Sequence, residues 1–564
     1  MRARSLVVLT VLSGTACREP AAPADEGALD AGATTDGGSS ADATAAHPGV
    51  RVVDPADDAT DVALGVKIEI TFMERMAPAS ITPATFSLTR DGAPVAGRIE
   101  YDEYPRQARF VPDAPLARSA VYMATVAPTL QTENGVPFGR AFTWSFTTAA
   151  HGWDDITLLD GHASRGLFAA ATGPAGETHL LWNTGEYPTS PLWTRHRDAA
   201  GAWQPPERFG SPGSGFWWPQ LLVGDGGHVV AVRETSDDGD DASIWVSRYD
   251  GASGWGPPSE ATHRDAPLGG SPTVTVDASG AVTVLWSEDN PGHDEEVAYR
   301  WVRRQAANGV WDAPESFDAI ARNADPTLAA STLSLVAVGD RTELYWGLAG
   351  NTSNSFWSSY RTGDGSWSEP AVIDAARGGG TDVTAVAVDG GETLAVWTSY
   401  DGGPVQLSAR RSASGVWSAP VLVADGDWIW DREAVAIAGG GLVVVWSELD
   451  DAFNYSVWAR RYIQATGWGP VVRLDERSYP SSPRVAIDGS GNVTAVWLDH
   501  DAGELALVTA RYEPTTGWKP AVPIAYMPQR STDLRLVTAD DGSASVFWCA
   551  EIGAACDLKV SSYR

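Results

Sequence analysis

The chain is poor in the residues that carry several common chemistries. It has three cysteines, too few for an iron–sulfur or multi-cysteine metal framework, and nothing in their spacing suggests one. Only three of its forty basic residues are lysines (Lys67, Lys519, Lys559), against 72 acidic residues, for a net charge of −32. That balance disfavours nucleic acid, whose affinity rests on phosphate neutralisation. Arginine stands in for lysine throughout, as in GC-rich bacterial coding, so a single arginine carries little functional weight. The nine histidines are scattered, with no His-Glu-x-x-His pair. No Gly-Lys-Ser phosphate loop and no Gly-x-Ser-x-Gly elbow occurs. No apolar run of about 18 residues lies beyond the N-terminus, so no spanning helix is expected.

Glycine (58) and proline (36) are plentiful, and hydrophobic residues make up 43% of the chain. This suits a turn-rich β protein with enough apolar mass for a core. At this length it has three or four domains, or fewer if one is a large all-β unit.

The N-terminus reads as an export address. Met1-Arg-Ala-Arg4 is basic, Leu6 to Leu12 is a short apolar core, and Gly14-Thr-Ala-Cys17 follows. Residues 1–17 resemble a bacterial lipoprotein signal, which implies that Cys17 is the lipidated first residue. Gly14 departs from that pattern, which usually has leucine there. Ordinary cleavage near Ala16, releasing a secreted protein, is the alternative. Residues 18–48 are Ala, Asp, Gly, Ser, Thr and Pro, with Leu29 the one large apolar side chain. Such a segment cannot offset its ordering entropy by burial and reads as a disordered tether.

Residues 49–150 show short alternating strands between turn signals, the pattern of a β-sandwich. Asp61-Val-Ala-Leu-Gly65, Ile70-Thr-Phe72, Phe110-Val-Pro112, Asn134-Gly135 and Phe142-Thr-Trp-Ser-Phe-Thr-Thr148 resemble the SbsA-type bacterial Ig-like domain. The resemblance implies a spacer or surface module without a catalytic constellation.

Residues 151–564 form a repeat array. A tryptophan preceded within two residues by Gly or Ser recurs at Trp153, Trp203, Trp255, Trp311, Trp367, Trp417, Trp468 and Trp518. A second ends an apolar strand at Trp182, Trp286, Trp346, Trp397, Trp446, Trp497 and Trp548; the second repeat lacks it, with Val230-Ala-Val232 instead. Each unit of about 51 residues holds four strands, the signature of a propeller blade. The last unit ends after its third strand, and an orphan strand, Gly152 to Leu159, stands at the start. An all-β fold is therefore expected: an Ig-like sandwich, then a β-propeller closed by that N-terminal strand. Eight blades are expected, with seven or an open solenoid as alternatives. The Trp–Ser–x–Pro hairpins resemble degenerate sialidase-type Asp-box repeats. That likeness implies blade geometry and no catalytic residue.

Twenty-one of the 25 tryptophans have a structural explanation in the array or the sandwich. The four others fall in Phe216-Trp-Trp218 and Trp428-Ile-Trp430, in connections leading to the first strands of the second and sixth units. Trp217, Trp218, Trp428 and Trp430, with Arg432 and Asp431 alongside, are the candidate ligand site; exposed tryptophan offers rigid stacking area. Packing of these rings as a plug is the bland alternative. Asp237, Asp238, Asp240 and Asp241 are a weak calcium candidate, since hard cations want several oxygens; a solvated acidic surface on an acidic protein is the favoured reading. No other cofactor is expected. Cys549 and Cys556, six residues apart across a hairpin of an exported chain, are expected to form a disulfide.

These features point to a monomeric cell-envelope lipoprotein whose propeller binds glycan or protein and touches the membrane only through its anchor. An exported glycoside hydrolase or lyase with a sialidase-like propeller is the alternative.

Overall fold

The computed structural model describes residues 49–564 except for short stretches, chiefly in loops and turns; residues 1–48, Cys17 among them, lie outside the described residues. Nearly all of the regular structure is β.

The first hundred described residues make a two-sheet sandwich. One sheet runs Val50–Asp54, Ile68–Phe72, Gln107–Pro112, Gly97–Asp102; the other runs Ala59–Val62, Phe142–Thr148, Val121–Val126, Phe86–Arg90, Ala93–Pro94. Period-two alternation sends Ile68, Ile70 and Phe72 from the first sheet, and Phe86, Leu88, Trp144 and Phe146 from the second, into one core. Trp144 stacks on Phe86 with ring centroids 6.1 Å apart. The hairpin at Asp91-Gly92 turns on two residues of positive φ (51° and 79°), the geometry that matches strand twist. The strands Val50–Asp54 and Ala59–Val62 were not visible in the sequence.

Beyond residue 150 the chain runs as successive antiparallel units of three or four principal strands. Seven of the second strands carry a fully buried tryptophan near their end: Trp182, Trp286, Trp346, Trp397, Trp446, Trp497 and Trp548 are all at most 2% exposed. The turns from first to second strand carry glycines of positive φ. Around Asp488 the carboxylate also accepts the Ser490 and Asn492 backbone N–H groups (2.9 and 3.0 Å), fixing the turn. The first strand of each unit packs against the first strand of the next, and Ser531–Thr538 of the last unit packs against Thr157–Thr172 of the first.

The beginning of the array differs from the expected separate strand followed by a loop. Thr157–Thr172 is one strand of 16 residues at the middle of a seven-stranded sheet. Its first half pairs with the C-terminal strand Ala555–Tyr563, and its second half with Thr178–Thr184. Register shifts at Leu158/Asp160, Asp160/Ala163 and Ala163/Phe168 let it pass from one to the other. Trp153 adds a bridge to Tyr563, and Cys549 and Cys556 are joined by a disulfide in the same sheet.

The sandwich packs directly on the array, and residues 47–564 form one compact unit. Leu64 is buried against Gly152, while a Cβ on Gly65 would stand 2.4 Å from the Pro523 carbonyl oxygen. Arg118 donates to the Gly152 carbonyl (3.0 Å) and to the Asp154 carboxylate, and Lys67 lies 3.8 Å from the centre of the Tyr526 ring. These contacts involve the segment Gly152–Asp154, which meets the C-terminal strand, and the strand Val522–Met527 of the seventh unit.

Candidate functional site

Seven first strands carry a register shift near their entry: Ala163/Phe168, Trp217/Gln220, Ser331/Leu333, Thr381/Thr384, Trp430/Glu433, Ser481/Arg484 and Thr532/Arg535. A bulge re-aims the side chains beside it and is common next to binding sites. In the last three units the extra residues include Asp431, Ser482 and Asp533, with φ of 41°, 54° and 57°. This left-handed backbone is unusual for residues other than glycine.

The predicted tryptophans flank two of these bulges. Trp217 pairs with Glu234 and Trp430 with Ser447, each partner being the residue after the position where second strands place their tryptophan. The two aromatic segments therefore occupy equivalent register in units two and six. The side chains of Trp217, Trp218, Trp428 and Trp430 lie outside the described residues, as do Asp237, Asp238, Asp240 and Asp241. Arg432 is half-buried and Asp431 exposed on the bulge. No group of three metal-ligating side chains is found among the described residues.

Past the bulges, one register position faces the residue before the second-strand tryptophan in every unit. It carries Ala169, Thr273, Ser334 and Thr384 in units one, three, four and five, and Gln220 in unit two. In the last three units it carries Glu433, Arg484 and Arg535. Charge is thus gathered on one arc. Glu433 Oε2 accepts the Val485 backbone N–H at 2.6 Å. Arg484 donates through Nε to the Leu534 carbonyl (3.1 Å) and through Nη1 to the Pro483 carbonyl (2.8 Å). Arg535 donates to the Leu534 carbonyl (3.0 Å) and stands 5.5 Å over the Phe168 ring. Burial raises the Glu433 carboxyl above its ordinary pKa, opposed by Arg484, the Val485 N–H, Arg535 and Arg432. Burial and then the charge of Arg484 lower the pKa of Arg535.

Unit two contributes a titratable group to the same end of the array. Burial pushes the Glu234 carboxyl up to about 7, and its Oε2 has no hydrogen-bond partner among the described residues. The neighbouring Arg233 takes the place of the missing second-strand tryptophan, is buried, and lies 5.5 Å over the Phe209 ring. A carboxyl poised near neutrality can exchange a proton with a bound molecule. His179 is also displaced, to about 4 by burial, but it is packed edge-on against Tyr249 at 4.2 Å and serves the junction of units one and two.

Sequence reasoning found Arg432 and missed Glu433, Arg484, Arg535 and Glu234. The absent tryptophan of the second unit was the signal for Glu234. The arc emerges only from residues aligned by register across units.

Residues 44–148 match the bacterial Ig-like domain family. No curated protein matches the chain. Among solved structures, the chain is similar to a protein of unknown function from Dyadobacter fermentans, with 13% identity and a TM-score of 0.34, covering 54% of this chain and 98% of that one. It is similar to an ulvan lyase, a polysaccharide lyase, with 11% identity and a TM-score of 0.39, covering 72% and 94%. A Hadza microbial sialidase gives 13% identity and a TM-score of 0.35, covering 79% and 92%. At these values no residue role is carried from them to this chain.

Proposed function

We infer that this is an exported envelope protein, anchored through lipidated Cys17, whose SbsA-type Ig-like domain and eight-bladed propeller present a binding site for a glycan or protein. The eight-bladed reading draws support from the strand Thr157–Thr172, which pairs with both the first unit and the C-terminal strand. The disulfide between Cys549 and Cys556 accords with an oxidising compartment. The described residues contain no helix long and apolar enough to cross a membrane.

The observation that carries the binding reading is the shared register of Trp217 and Trp430 at the entry of two first strands, beside the arc Glu433, Arg484 and Arg535. Aromatic area next to paired hydrogen-bonding groups suits a sugar chain or a protein loop. Glu234 favours a second reading, glycoside hydrolysis or elimination, because its carboxyl is held near 7. Parallel screens of a glycan array and of chromogenic glycosides separate the two. Retention without turnover supports binding; turnover abolished in Glu234→Gln supports catalysis; neither retention nor turnover points to a protein partner.

A further inference from the structure

We propose a second, separate binding pocket on the outer flank of the array, between units four and five, that takes a single neutral sugar or polyol. The cavity measures about 210 Å³ and is lined by Ser358, Tyr360, Ser368, Glu369, Arg411 and Ser414. It lies away from the bulged entry of the first strands, on third strands, outer segments and the turn after Val405–Arg411.

The pocket lies at a repeat position whose residue varies between units. In units two, six and seven the third strand places a tyrosine there (Tyr249, Tyr462, Tyr512), packed edge-on against the tryptophan of its own unit. The centroid distances are 5.3, 5.4 and 5.5 Å. Units one, three and four have Arg197, Gln305 and Arg361 there, and unit five has Arg411. Its guanidinium is drawn to Glu343 on the second strand of unit four and to the Thr393 hydroxyl (2.9 Å), and it lies 4.2 Å over the Tyr360 ring. A flat charged group held this way does not fill the space that a tyrosine ring fills in units two, six and seven.

The lining selects the ligand class. The charge of Arg411 is met by Glu343, both almost wholly buried at 3% and 1% side-chain exposure, and Glu369 adds a negative charge at the rim. The pocket therefore offers no unmatched positive charge for an anion. Arg411 Nε is buried without a hydrogen-bond partner among the described residues. An orphaned buried donor carries a penalty that a ligand hydroxyl would relieve. Serine hydroxyls and a carboxylate supply both donors and acceptors, which is what a polyhydroxylated molecule needs. The volume is below that of a drug-sized site, which fits one ring and no more.

The test is titration of the full chain with free glucose, galactose, mannose, fucose, xylose, N-acetylglucosamine and glycerol, followed by saturation-transfer NMR, with glucuronate and sulfate as charged comparators. Ser414 is exposed on the turn and outside every core cluster, so Ser414→Trp blocks the mouth without touching the fold. Arg411→Lys removes the orphaned Nε donor, and Ser414→Trp guards against a folding defect in that variant. Saturable binding of at least one neutral compound is expected with a Kd of about 0.1 to 10 mM, weakened at least about tenfold in Ser414→Trp at an unchanged melting temperature. Absence of saturable binding across the neutral panel, binding that survives Ser414→Trp, or preference for glucuronate or sulfate would each overturn the proposal.

Discussion

Replacing Gly65 with alanine tests whether the Ig-like domain is clamped to the repeat array in solution. The added methyl would stand 2.4 Å from the Pro523 carbonyl oxygen and 3.0 Å from that of Ile524, both backbone atoms that cannot swing aside. Overpacking of this kind costs about 1–3 kcal/mol. Because the strain exists only in the docked state, it raises the undocked population by about 5- to 150-fold. Limited proteolysis between the two domains reads that population directly when opening is fast relative to cleavage. Gly251→Ala is the control: a Cβ there meets nothing within 4 Å, so a negligible change is expected. Cleavage should accelerate in Gly65→Ala and not in Gly251→Ala. Equal rates in the two variants would refute the clamp and restore the Ig-like domain to a free spacer.

Three further outcomes follow from the same contacts. Glu234 has a folded pKa of about 7, above its unfolded value, so the folded state binds the extra proton and stability falls as pH rises through about 7. Glu234→Gln should therefore be more stable than the parent near pH 8 and lose that advantage near about pH 4, measured by melting temperature across pH. Removing the Cys549–Cys556 bridge by paired serine substitutions should cost about 2.5 kcal/mol by loop entropy for so short a loop, read by chemical denaturation. Thiol labelling of both cysteines in unreduced envelope protein would contradict the bridge. Deleting Gly152 to Leu159 should lower the melting temperature by far more than a few degrees, because it removes Trp153, Thr157 and Leu158, the partners of Tyr563, Val560 and Lys559, and exposes that end of the C-terminal strand. A deletion that melts within about two degrees of the parent would rule out a closed ring.

The parts of the fold that the sequence showed plainly were those governed by a strong local signal. Second-strand tryptophans end apolar runs, and all seven proved to be fully buried. The sandwich strands Val121–Val126 and Phe142–Thr148 alternate cleanly and formed as read. Val50–Asp54 and Ala59–Val62 escaped notice because they are short, carry aspartates and lie among turn residues. The double-duty strand Thr157–Thr172 was hidden for another reason. The orphan strand was read as ending at Leu159, whereas it bulges and carries on past Gly161 and Gly166. At the site, elimination singled out the four tryptophans, and two of them share a register. The polar arc depends on long-range register, since bulges displace Glu433, Arg484 and Arg535 from any fixed spacing to the preceding tryptophan.

The claim that the entry of the first strands binds a ligand is tested most directly by Trp217→Ala combined with Trp430→Ala. Both residues lie before the bulge, at equivalent positions of units two and six. Binding to the best glycan or protein found in the screens is measured beside the melting temperature. The account predicts a loss of affinity of about 10- to 100-fold, as for buried aromatic anchors, with the melting temperature held. Unchanged affinity with a lowered melting temperature would contradict it and make these rings a plug.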